Sequence, residues 1–207
     1  MSTISVDNIN EYTSAGGVTI DGAVIKDGKI TGGAAGLTLI TSGSVSAVTG
    51  ITLDNVFTST FPNYLFQWNG QGNTNNIEQL RLKFRASGST NSDSDCSFAA
   101  MIPYKTSGQS SADSYETDID ATYFQLMGNW IDSEKFGGQL TILEPQVSGQ
   151  STSIQYQFGT RYNQSAEAYA TFSGTGVKEG TGSFDGLYFY VDGSQTITGN
   201  YRLYGYK

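Results

Sequence analysis

From Phe61 to the end of the chain, apolar and polar residues alternate with the period of a β-strand. In Leu80-Arg81-Leu82-Lys83-Phe84-Arg85 the apolar side chains fall on one face and the cations on the other, as in a strand with one face toward a core. Stretches of similar character lie at Tyr64–Trp68, Phe98–Tyr104, Thr122–Met127, Gln139–Leu143, Ser153–Thr160, Ala168–Ser173, Leu187–Val191 and Gly199–Tyr206. Between them stand turn signals: Gly70-Gln71-Gly72-Asn73, Ser107-Gly108, Gly137-Gly138, Ser148-Gly149, Gly174-Thr175-Gly176 and Asp192-Gly193-Ser194. Some nine short antiparallel strands with no helical period predict an all-β domain over residues 61–207, an antiparallel β-sandwich of jelly-roll type. The last of them, Tyr201 to Lys207, places Tyr201, Leu203 and Gly205 on one face. Leu203 is expected to face the core and the chain to end inside the sheet.

The first 60 residues read differently. Three tiny strands, Val18–Ile20, Ala23–Lys26 and Lys29–Thr31, are punctuated by Asp21-Gly22 and Asp27-Gly28. Strands this short cannot bury their own Val18, Ile20, Val24, Ile25 and Ile30, so these residues are expected to dock against other chains. Residues 32–60 then scatter Leu37, Leu39, Val45, Val48, Ile51 and Leu53 among Thr, Ser and Gly. That is too apolar for a disordered linker and too thin for a lone sheet, and the reading is a narrow stalk of several chains, with the edge of a packed subdomain as the alternative. Three parts result: an attachment segment at 1–31, a stalk at 32–60 and a head at 61–207. The aromatics agree, because only Tyr12 and Phe57 fall in the first 60 residues.

A net charge of −8 argues against nucleic acid or anionic membrane as partners, since both require clustered Lys and Arg. No segment is long and apolar enough for membrane insertion as a helix. The single Cys96 excludes an intrachain disulfide and reads as a small buried apolar group. Met1 to Asp7 lack a basic region followed by an apolar run, so synthesis and assembly are expected in the cytoplasm, even for a protein that later works outside a cell.

The chain has no histidine, which removes the commonest general base, the commonest zinc ligand and every Ser/His or Cys/His pair. A two-carboxylate glycosidase arrangement would survive that loss. Its candidates are Glu116, Asp118 and Asp120, or Asp132 and Glu134 beside Trp130, and their spacing reads more simply as solvated loop acids. Asp93 and Asp95, or the Glu116 group, could offer oxygen ligands to calcium, yet neither run has the Gly and closing Glu of a helix-loop-helix site. No enzyme activity, metal or cofactor is expected. The aromatic residues remain as a recognition resource: Trp130, Tyr115 and Tyr123 are the candidate glycan contacts, with Trp130 set between Gly128-Asn129 and Asp132 at a loop edge.

Both ends of the sequence resemble a known group of proteins. Val6-Asp7-Asn8-Ile9-Asn10-Glu11-Tyr12-Thr13, with Gly16 to Gly22 and Ile25 to Gly28, resembles a segment recurring in fibre and other structural proteins of tailed bacteriophages, notably of marine bacteria and cyanobacteria. Gly186-Leu187-Tyr188-Phe189 with Ile197 to Lys207 is similar to the final strands of the β-sandwich head on such fibres. The resemblance implies a homotrimeric virion appendage whose amino-terminal part is held by other virion proteins and whose head points outward. A host-surface polysaccharide is the candidate external partner of the head, read from its aromatic residues and not from the resemblance; a carbohydrate-binding module and a glycan depolymerase are the alternatives.

Overall fold

The computed structural model describes residues 18–20, 23–26, 29–32, 36–72, 77–106, 112–130, 135–163, 167–180, 182–193 and 195–207. The chain divides into two units, residues 1–36 and 37–207. In the first, β1 (Val18–Ile20), β2 (Ala23–Lys26) and β3 (Lys29–Gly32) form a three-stranded antiparallel sheet in chain order. Val18 stands opposite Ile25, and Ile25 opposite Ile30. The Asp-Gly turns that were expected to join these strands lie outside the described residues.

The second unit is also all-β and antiparallel. Its strands are β4 (Thr38–Val48), β5 (Gly50–Leu53), β6 (Asn63–Gly72), β7 (Ile77–Ala86), β8 (Ser89–Thr90), β9 (Cys96–Thr106), β10 (Ala112–Ala121), β11 (Phe124–Trp130), β12 (Lys135–Leu143), β13 (Thr152–Asn163), β14 (Glu167–Lys178), β15 (Gly186–Val191) and β16 (Ile197–Tyr206). One sheet has eight strands in the order β10-β9-β14-β13-β12-β6-β16-β4; the other runs β11-β7-β15-β5, with β8 paired to β7. Period-two burial explains both. Leu80, Leu82 and Phe84 are at most 1% exposed, whereas the intervening Arg81, Lys83 and Arg85 are half-buried on the outer face. Phe189 of the small sheet meets Phe66, Trp68 and Phe158 of the large one, so the two sheets share a single apolar core. Leu203 is fully buried, and β16 lies between β4 and β6 in the interior of its sheet.

Residues 38–53 depart from the expected stalk. β4 pairs with β16 as an edge strand of the large sheet, β5 pairs with β15 in the small one, and Ile51, Leu53, Val56 and Phe57 belong to the core. The boundary expected after residue 60 therefore falls after residue 36. The reason is long-range: the strands that pair with this stretch, β16 beside β4 and β15 beside β5, come more than a hundred residues later.

Three glycine clusters expected as turns also lie largely within strands, in β6, β12 and β14. Large rings occupy the space a side chain would need. A Cβ at Gly174 would come 2.5 Å from Tyr156 Cζ, and one at Gly176 would come 2.7 Å from Phe124 Cδ1. Glycine inside a strand marks a close approach of this kind as well as a bulge or bend.

Candidate functional site

The outer face of the large sheet is built by cross-strand register. Tyr115, Met101, Ser173, Gln157, Gln139, Gln67, Arg202 and Ser42 stand opposite one another in a single row across all eight strands. The next row is Thr117, Ala99, Thr175, Gln155, Thr141, Leu65, Tyr204 and Leu39. Of these two rows, only Arg202 carries a charge, on a chain whose net charge is −8. Amides and hydroxyls dominate the middle, with neighbouring strands about 4.8 Å apart. Two shallow depressions open on this face. One, of about 500 Å³, is bordered by Ser42, Gln67, Asn69, Asn200 and Arg202; the other, of about 470 Å³, by Gln139, Thr141, Gln155, Gln157, Ser173 and Thr175. Each amide offers both a donor and an acceptor, so the face can hydrogen-bond a neutral polyhydroxylated ligand without any charge.

The outer face of the small sheet is aromatic and cationic. Tyr188 and Tyr190 stack with centroids 4.5 Å apart and planes 5° from parallel. Arg81 pairs with Asp192 at 2.7 Å, donates from Nε to Gln79 Oε1 at 2.7 Å, and sits 3.9 Å from the ring centroid of Tyr123. Arg85 pairs with Asp54 at 2.6 Å. These cations are therefore neutralised within the sheet.

The structure does not bring Tyr115 and Tyr123 together. Tyr115 is 71% exposed on β10, at one end of the polar row. Tyr123 lies against Arg81 on the opposite side of the unit. Trp130 is the last residue of β11, opposite Ile77, and its side chain lies outside the described residues. The side chains of Val18, Ile20, Val24, Ile25 and Ile30 also lie outside them, as do residues 131–134 with Asp132 and Glu134.

Glu116, Asp118 and Asp120, expected in a loop, are on strand β10. Glu116 stands opposite the buried Ala100, turns into the gap between the sheets and accepts a hydrogen bond from Gln125 Nε2. Burial pushes its carboxyl above the ordinary range, and the Gln125 bond partly opposes this. Among the described residues no group of three or more Cys, Asp or Glu could hold a metal ion, and no helix is long and apolar enough to cross a membrane.

Sequence reasoning overlooked the glutamine rows and Lys178. Gln155 and Gln157 flank Tyr156 with visible alternation, and Gln139 and Gln67 do the same beside Leu140 and Phe66. Their alignment into one row depends on register, which periodicity does not carry.

Three groups, two buried in the core and one partly buried on the outer face of the small sheet, set an alkaline limit. Burial pushes the Cys96 thiol up to about 12, with Lys83 partly opposing, and the Tyr190 hydroxyl up to about 12, with Arg81 partly opposing. Burial likewise raises Tyr156, whose hydroxyl donates to the Gln125 carbonyl at 2.8 Å. The fold favours the protonated form of each group, so their contribution is complete below the ordinary thiol value of 9.0 and is lost as pH rises toward 12. Calorimetry should show a melting temperature that declines from about pH 9. A flat profile from pH 8 to 11 would contradict this assignment.

With the fold and both outer faces in view, the class is an all-β protein of two antiparallel sheets over one core, joined to a small three-stranded unit. No family model, no curated protein and no solved structure matches the chain.

Proposed function

We propose that this chain is a structural virion protein of a tailed phage, a short homotrimeric fibre on the tail, neck or head. Its amino-terminal unit attaches to other virion proteins, and its larger, jelly-roll-like unit is exposed and performs no catalysis. The observation that carries the reading is the division of the chain into two unequal units. Strands of three and four residues form a sheet too small to stand alone in water, while the large unit holds its own core. The resemblance of both chain ends to phage fibre proteins supports the same reading. So does β4: it is an eleven-residue edge strand with no charged residue, with Leu37 exposed just before it and Leu39 exposed within it, and such an edge invites cover.

A second role, adhesion to a neutral surface polysaccharide, is favoured by the uncharged amide and hydroxyl rows. One set of measurements tests both. Mass photometry of the full-length protein is expected to give three copies per particle, and a stable monomer would overturn the fibre reading. On a glycan array, binding to neutral glycans that weakens in a Gln139→Ala, Gln157→Ala double variant supports adhesion; no binding to any glycan rejects it and leaves the trimer result standing.

A further inference from the structure

We propose that Lys178 and Asp95 are joined by an intramolecular isopeptide bond in the mature protein. Lys178 is the last residue of β14 and stands opposite Cys96, the first residue of β9, so the preceding Asp95 is brought to the same end of the strand pair. Lys178 is 1% exposed, and its Nζ is in direct contact with Asp95 Oδ1. Apart from that contact, neither atom has a hydrogen-bond partner, and the opposite Thr152 Oγ1 is buried without one as well. An ammonium group has three donors to satisfy, and leaving it buried against one acceptor is costly.

Covalent joining resolves that imbalance. Transfer of one proton from the ammonium to the carboxylate leaves a neutral amine and a carboxylic acid, the pair a low-dielectric site favours over two charges. Burial lowers the proton affinity of Lys178, which supports the neutral amine, while Asp93 partly opposes it. The Nζ lone pair attacks Asp95 Cγ. The bond from Cγ to the hydroxyl oxygen then breaks, the nitrogen gives up one proton to that hydroxyl, and one water leaves. The product is an amide with one N–H and one C=O in place of two charged groups. The Asp95 side chain is 23% exposed, which gives the departing water a way out. Fixed contact between the two groups provides the high effective concentration that the condensation needs.

The test is the intact mass of the denatured full-length protein, with removal of Met1 taken into account. The expected mass is one water below that of the sequence. A digest should yield one branched peptide joining the Asp95 and Lys178 segments, and the Lys178→Ala and Asp95→Ala variants should recover the full mass. Succinimide formation at Asp21-Gly22, Asp27-Gly28, Asp185-Gly186 or Asp192-Gly193 also removes water, but mild alkali reverses it, whereas an isopeptide bond survives. A wild-type mass equal to the full sequence, or a water loss that alkali restores, would overturn the proposal even if both variants failed to fold.

Discussion

Removing residues 201–207 is expected to leave the large unit unfolded or aggregated. β16 is hydrogen-bonded on both sides, to β4 and to β6, so its loss strands β4 and turns β6 into a new edge. The segment also carries core material. Leu203 is fully buried, Tyr201 stacks on Phe66 with centroids 6.3 Å apart, and Gly205 lies directly against the ring of Phe61. Leu203→Ala alone should cost about 2 to 5 kcal/mol, a large part of the stability of an ordinary domain. Arg202→Ala, at an exposed position one residue away, should shift stability by no more than about 0.5 kcal/mol. Thermal melts followed by circular dichroism compare the three; a truncated protein that melts where the intact one does would place β16 outside the core.

Where strands bury one face and expose the other, the sequence made them visible. β7 is the clearest case, with three buried apolar residues alternating with three cations. β10 was missed because its polarity runs the opposite way: Tyr115 and Ile119 are exposed at 71% and 74%, while Glu116 turns inward to Gln125. An edge strand with one flank open is free to break the rule that central strands obey. β4 was misplaced for a related reason. Its Val45 and Val48 are only partly buried, so their small side chains could serve a stalk or a sheet edge equally well. What decides is β16, whose Gly199 pairs with Val45 from 154 positions away.

The candidate sites were less legible than the fold, since both depend on residues brought together by pairing. Gln67, Gln139 and Gln157 belong to three strands and share no motif. Lys178, in Val177-Lys178-Glu179-Gly180, looks like a solvated strand end. Its burial follows from the close cover of Gly180 beside Asp95 and from the Glu179 amide, which donates to the Asp95 carbonyl at 2.8 Å and folds the chain back over the pair.

Phe189→Ala should be among the most damaging single truncations in the small sheet. The ring is fully buried on β15 and meets Phe66 at 5.0 Å, Trp68 at 5.4 Å and Phe158 at 6.3 Å between centroids, all three on the opposing sheet. It therefore bridges the two layers, and neither layer can close the gap without leaving its own register. Loss of transferred area together with the cavity left behind should cost about 3 to 5 kcal/mol. At roughly 2 to 4 °C per kcal/mol for a domain of this size, the melting temperature should fall on the order of 10 °C. Phe189→Leu keeps most of the volume and should cost about half as much or less. Tyr188→Ala supplies the contrast, because Tyr188 is the adjacent residue on the outer face and loses mainly its stack on Tyr190, worth about 0.5 to 1.5 kcal/mol. Equal losses at 188 and 189 would mean that the outer Tyr stack, and not the ring between the sheets, holds β15 in place.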